Sequence, residues 1–174
     1  MGVALALALA LLAGCGSSSS KKSSTKTTSG GGGGVSVTTA AAAGTTIDVI
    51  VSDTKGLDGP MTLTATPATA SAGDITFKVT NKGTIDHEVL LVGPGIDAFD
   101  KIPIADAGDP PAAVATGANK IDEATNVGET GEPNLKPGDS RSFTVKKVAA
   151  GSYALVCNIA QHYGLGMRAM FTVS

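Results

Sequence analysis

Tryptophan is absent from this chain, and its aromatic residues amount to four Phe and two Tyr in 174 positions. A core built from such a sequence consists mainly of Val, Ile, Leu and Ala. Histidine and cysteine are scarce as well, with His87, His162, Cys15 and Cys157 as the full complement. Basic residues are outnumbered: after residue 34 there are 10 Lys or Arg against 15 Asp or Glu, a net charge of −5. That balance excludes a nucleic-acid partner, which needs a basic face. No apolar run is long enough to span a bilayer. The length suits one domain of ordinary size with additional segments.

The apolar sequence at the start has an informative order. VALALALALLAG runs from Val3 to Gly14 and leads into Cys15. A short apolar run ending in small residues is the pattern of an export signal, and Leu12, Ala13, Gly14 and Cys15 resemble the lipobox of bacterial lipoproteins. The resemblance implies that residues 1–14 are a signal peptide removed by cleavage and that Cys15 carries a lipid. The following GSSSSKKSSTKTTSGGGGG holds nothing to bury, so residues 15–34 are read as the lipidated Cys and a disordered linker. Its random-coil span is roughly 25 Å, a tether for a head formed by residues 35–174. The place implied is a membrane of the bacterial cell envelope, on its extracytoplasmic side. Lys21, Lys22 and Lys26 suit anionic headgroups as well as simple solubility. With Cys15 lipidated, Cys157 has no disulfide partner, and an unpaired thiol in an exported protein calls for another role.

From Val35 onward, short β-rich runs are broken by Gly, Pro, Asn and Asp. TTIDVIVSD, MTLTATPATA, DITFKVTNKG, HEVLLVG, SRSFTVKKV, GSYALVCN and MRAMFTVS are seven such runs, and their spacing predicts an all-β, antiparallel Greek-key sandwich. In DITFKVTN, Ile75, Phe77 and Val79 share one face, and Thr76, Lys78 and Thr80 share the other. Residues 93–139 form a long insertion before the last three strands, more than a structureless loop in a compact domain would hold. Within it, PAAVATGANKIDEATN is read as a short helix opened by Pro111, against the resistance of Gly117 and the threonines.

Both histidines stand in informative places. His87 follows the turn signal of NKGTID and begins an apolar strand, while CNIAQHYGLGM places Cys157, His162 and Met167 with four residues in each gap. Taken singly, each of these residues reads as an ordinary core or surface side chain. Together, a thiolate, two imidazoles and a thioether are the ingredients of a blue copper site, three in-plane donors with a weak axial Met. Soft sulfur favours Cu(I) and imidazole accepts Cu(II), so such a set holds both states. Zinc is the minor reading, because a structural zinc site uses more Cys and His.

On these residues the chain resembles the cupredoxins, the small blue copper proteins. The resemblance rests on the Asn81, Gly83 and His87 turn and on LKPGDSRSFTV followed by AGSYALVCNIAQHYGLGMRAMFTV, with ligand gaps most like those of auracyanin and rusticyanin. It implies one copper ion held by His87, Cys157, His162 and Met167, with binding through imidazole Nδ1. It also implies that the second nitrogen of His162 lies near the surface as an electron gateway. Several members carry a bracing Asn after the first histidine, where this chain has Glu88. Met170 is a rival axial donor by proximity, although its place inside the last strand suits core packing, as does the position of Met61.

The function implied is a lipid-anchored electron carrier, monomeric, exchanging electrons with a redox partner such as a c-type cytochrome or an oxidase. The alternative is an envelope protein that binds or handles copper without carrying electrons, although delivery favours exposed Met or His clusters that this chain lacks. A metal-free adhesion or assembly domain is disfavoured by the complete donor set. Enzymatic catalysis of the nitrite reductase or multicopper oxidase kind needs a further, open copper with its own histidines, and the two histidines are already assigned. The acids beside His87, Asp86 and Glu88, suit a basic partner surface only weakly, since surface acids mostly serve solvation.

Overall fold

Alternating apolar residues generate two facing sheets. The computed structural model describes residues 44–106 and 120–174; the expected signal peptide, Cys15 and the linker lie outside them. Eleven strands are described. They are β1 (Thr45–Asp53), β2 (Met61–Thr66), β3 (Thr69–Ala70), β4 (Gly73–Asn81), β5 (Leu90–Val92), β6 (Ile104–Asp106), β7 (Lys120–Ile121), β8 (Asn126–Glu129), β9 (Ser140–Val148), β10 (Gly151–Val156) and β11 (Arg168–Val173). One sheet has the order β2-β1-β4-β9, the second β3-β11-β10-β5-β8, and β6 with β7 makes a separate ribbon.

All seven apolar runs contain strand. MTLTATPATA is divided into β2 and β3, where Pro67 cannot donate to a ladder. The expected antiparallel pattern holds for most pairs, but β1 lies parallel to β4 and β3 parallel to β11. The chain leaves the first sheet after β2, adds β3 to the second, and returns as β4 on the free side of β1.

The faces of β4 are those its sequence predicts. Ile75, Phe77 and Val79 are buried, whereas Thr76 and Thr80 bond across the outer face to Thr144 at 2.8 Å and Ser140 at 2.9 Å. The few aromatics are concentrated where the sheets meet. Phe77 stacks on Phe143 of the neighbouring strand at 5.0 Å and meets Phe171 of the opposite sheet edge-on at 5.4 Å. Met61 is buried in this inner core, as expected.

The second sheet is covered on both faces, which explains why β5 and β10 are nearly all apolar. Tyr153, Leu155 and Cys157 point to the inner core, while Ala154 and Val156 point outward to a second cluster with Leu90, Val92 and residues of the insertion, Ile96, Ile102 and Ile121. The insertion is therefore a cover over the second sheet. Residues 111–119 of the expected helix begun by Pro111 lie outside the described residues, and its described end is not α-helical. Residues 120–121 are strand, and a single 3-10 turn follows at Glu123–Thr125, closed by the Asp122 carboxylate accepting from the Ala124 N–H. Among the described residues of that segment Ile121 alone is buried, in contact with the outer cluster.

Candidate metal centre

The antiparallel register sets the place of the site. Leu90 at the start of β5 and Arg168 at the start of β11 both pair with Val156 at the end of β10. Residues just before β5, just after β10 and just before β11 therefore collect at one end of the second sheet. His87, Cys157 and Met167 occupy those positions.

His87 is fixed from several sides. Asn81, fully buried at the end of β4, donates through Nδ2 to the carbonyls of Ile85 and Leu135, each at 2.8 Å, and accepts from the Gly83 N–H at 2.7 Å. The turn it closes delivers His87 to Leu135, with which it exchanges two backbone hydrogen bonds of 3.0 and 2.8 Å. A buried amide with both ends satisfied holds such a turn rigidly.

The loop from Cys157 to Met167 is bound to itself. The Cys157 N–H donates to the Met167 carbonyl at 3.0 Å, the Met167 N–H to the His162 carbonyl at 3.1 Å, and the His162 N–H to the Ile159 carbonyl at 3.0 Å. Gly166 has φ +107°, and a Cβ there would approach the Met61 carbonyl to 2.9 Å, so the loop packs against β2 only with glycine at this point.

These two segments bring three ligand atoms together. The Nδ1 atoms of His87 and His162 lie 3.1 Å apart, Cys157 Sγ lies 3.4 Å from His162 Nδ1, and the three donor atoms fall within 4.8 Å of one another. All three residues are buried, His87 and Cys157 at 0 % exposure and His162 at 3 %. Burial and then the neighbouring His87 push His162 down to about 4, and burial also lowers His87 against the opposing pull of Asp53, so both rings are neutral near pH 7. Burial pushes the Cys157 thiol up to about 12, despite the N–H groups of Glu88 and Ile159 that face the sulfur. A cation at this point takes the place of the thiol proton.

The donor set fits a copper ion. Two neutral imidazoles present their Nδ1 atoms to the point that the sulfur also faces, and the enclosure excludes competing water. The His87 tautomer follows from its other side: Nε2 lies 2.9 Å from Asp53 Oδ2, and a carboxylate only accepts, so Nε2 carries the proton and Nδ1 the lone pair. The Asp53 carboxyl sits far below the ordinary carboxylate range, because hydrogen bonds from Thr84, His87 and Gly56 outweigh its burial.

Met167 is fully buried in the same inner core as Cys157. Met170 is not a competitor, since it packs in the outer cluster on the other face of β11. The Glu88 backbone N–H points at Cys157 Sγ from 3.5 Å, a contact that does not depend on which side chain follows His87. The Glu88 carboxyl faces away into a cleft of about 330 Å³ lined also by Glu123, Glu129 and Glu132. Burial, then the charges of these three acids, push it up to about 7. His162 is 3 % exposed, against 0 % for His87 and Cys157.

Sequence reasoning missed three supporting residues. Asp53 reads as an ordinary acid at a strand end, and Leu135 as one apolar residue in a polar loop. Asn158 was hidden inside the ligand loop; its Oδ1 accepts from the Ile121 N–H at 2.7 Å and its Nδ2 donates to Glu123 Oε1 at 2.7 Å. The insertion thus holds the residue next to Cys157.

No protein-family model and no curated protein sequence matches the chain. Solved structures do. The chain is similar to auracyanin B, with 21 % identity, TM-score 0.50 and coverage of 75 % of this chain and 88 % of that one. The fold is that of a cupredoxin. Similarity extends to the Na-dithionite reduced auracyanin of the photosynthetic bacterium Roseiflexus castenholzii, at 27 % identity and TM-score 0.49 over 76 % of this chain and 98 % of that one. Auracyanin A, a blue copper protein of the green thermophilic photosynthetic bacterium Chloroflexus aurantiacus, is 23 % identical at TM-score 0.48, over 74 % and 99 % of the two chains. Within the cupredoxin fold of the present chain, the three donors stand where β5, β10 and β11 meet.

Proposed function

We propose that the protein is an electron carrier that binds a single copper ion through His87 Nδ1, Cys157 Sγ and His162 Nδ1, with Met167 as the weak axial donor. The observation that carries this reading is the convergence of the three donors in a buried pocket formed by two internally hydrogen-bonded segments. A preformed, enclosed set of mixed hard and soft donors limits rearrangement between Cu(I) and Cu(II), and small rearrangement favours rapid one-electron exchange. Burial of every donor counts against a role in copper delivery, which needs an accessible site. An enzymatic role at a second, open copper lacks ligands, since both histidines of the chain are used at this centre.

In this reading Cys15 carries a lipid that anchors the domain on the extracytoplasmic side of a bacterial envelope membrane. The partner is a redox protein such as a c-type cytochrome or an oxidase, met by a monomer. Glu123, Glu129 and Glu132 place negative charge in the cleft that Asn158 and Ile159 of the ligand loop also line, which suits steering toward a basic partner surface. Stopped-flow mixing of the reduced, copper-loaded domain with oxidised envelope cytochromes is the test. Rapid exchange that slows as salt is raised is expected; exchange no faster than that of free copper would refute the carrier role and favour copper handling.

A further inference from the structure

Asp53 is the last residue of β1 and only 4 % exposed. Its carboxylate is surrounded by donors. Oδ1 accepts from the Gly56 N–H at 2.8 Å and from the Thr84 hydroxyl; Oδ2 accepts from the Thr84 N–H at 2.8 Å and from His87 Nε2 at 2.9 Å. Those donors are all uncharged groups. The turn from Gly83 to His87 is therefore wrapped around a buried anion, with one of its oxygens aimed at the back of a donor ring.

Gly83 shows how closely the chain is fitted to this contact. A Cβ at position 83 would lie 2.7 Å from His87 Nε2 and nearer still to Asp53 Oδ2. Glycine is required here by that approach. Any side chain would enter the space of the Asp53–His87 hydrogen bond.

We propose that Asp53 is a positioning residue of the metal centre: its carboxylate fixes the His87 tautomer that faces Nδ1 to the ion, and its charge biases the centre toward the oxidised state. This rests on the copper reading above. The charge count gives the direction. With a cysteine thiolate and the Asp53 carboxylate, a Cu(II) centre is neutral and a Cu(I) centre carries −1, so gaining the electron from a donor leaves an uncompensated negative charge in a buried place. A carboxylate bonded to the far nitrogen of an imidazole also makes that ring a stronger donor, which again favours Cu(II).

Asp53→Asn retains an oxygen that can accept from Nε2 and removes the charge. Its copper complex is expected to remain blue while the Cu(I) to Cu(II) ratio at fixed ambient potential rises about tenfold, an upward shift of about 59 mV for one electron. Gly83→Ala keeps both residues and separates them, so its shift has the same sign. Nitrogen-15 NMR of metal-free wild-type protein provides a readout that needs neither variant to fold, and His87 is expected with its proton on Nε2. Blue variants with the wild-type potential would overturn the proposal, as would a metal-free His87 protonated on Nδ1 alone. A colourless wild-type copper complex would instead refute the copper reading and the inference resting on it, so the two failures are told apart by the wild type.

Discussion

At the scale of single residues, the site depends on groups that are not donors to the ion. Asn81, itself fully buried, bonds two carbonyls and one N–H of the turn that holds His87. Asn81→Ala removes the partner of the Ile85 carbonyl and the Gly83 N–H and one of the two donors to the Leu135 carbonyl, and a loss of about 3 kcal/mol is expected from urea unfolding of the metal-free domain. The same variant loosens His87, so its copper is lost faster to a chelator. The meeting of His87, Cys157 and His162 was legible in the sequence because their residue types are scarce, with two histidines and one spare thiol in the chain. Asp53 was not legible. The sequence holds fifteen acids, and what distinguishes this one is a hydrogen bond to a residue 34 positions away. The role of Gly83 was visible as a turn signal, but the reason for it, a close approach to that hydrogen bond, depends on β1.

At the scale of elements, the insertion changes the character of the second sheet. By covering the outer faces of β5 and β10 it turns a half-wet sheet into a central layer, and it fastens both ends of the ligand loop. Asn158 bonds to Ile121 and Glu123 near Cys157. Farther along, the Tyr163 hydroxyl donates to the Phe99 carbonyl at 3.1 Å, and the Arg168 guanidinium lies 4.8 Å from the Phe99 ring and 4.9 Å from that of Tyr163. Ile121→Ala removes a buried side chain of the outer cluster and is expected to lower stability by about 2–4 kcal/mol. Asn158→Ala is expected to leave the fold in place while raising amide hydrogen exchange at Ile121 and in residues 157–162.

The β4–β9 pair supplies a pH prediction at the same scale. Lys146 Nζ at 2.9 Å, and the Lys147 N–H at 3.0 Å, hold the Asp74 carboxyl below its ordinary value of 3.8. A depressed folded-state value contributes stability above the unfolded value and loses it as pH falls through the folded one. Asp74→Asn should therefore lower the urea midpoint slightly at neutral pH, and the difference from wild type should vanish in acid. A difference that persists in acid would show that charge is not its source. The long strands of this pair were readable from period-2 alternation. The two-residue strand β7 and the 3-10 turn after it were not, because their conformation follows from Ile121 and Asn158 meeting across the fold, not from local pattern.

At the scale of the whole molecule, the sandwich frame explains why His87 and Cys157, 70 positions apart in sequence, meet, since β5 starts where its antiparallel neighbour β10 ends. The parallel pairings of β1 with β4 and β3 with β11 were beyond the sequence, as turn signals indicate where strands end and not which sheet receives the next. Phe77 joins both sheets, and Phe77→Ala is expected to destabilise the domain by about 3–5 kcal/mol. Because Cys157 belongs to the same inner core, that variant should also loosen the metal centre.

The central claim is that Cys157 is a copper-bound thiolate in a centre shared with His87 and His162. The optical and electron-spin spectra of the Cu(II)-loaded domain, recorded beside Cys157→Ser, test it most directly. An intense blue thiolate-to-copper band with a narrow copper hyperfine splitting, lost in the serine variant, is the result expected. A colourless wild-type complex, or a blue one that survives the substitution, would contradict it.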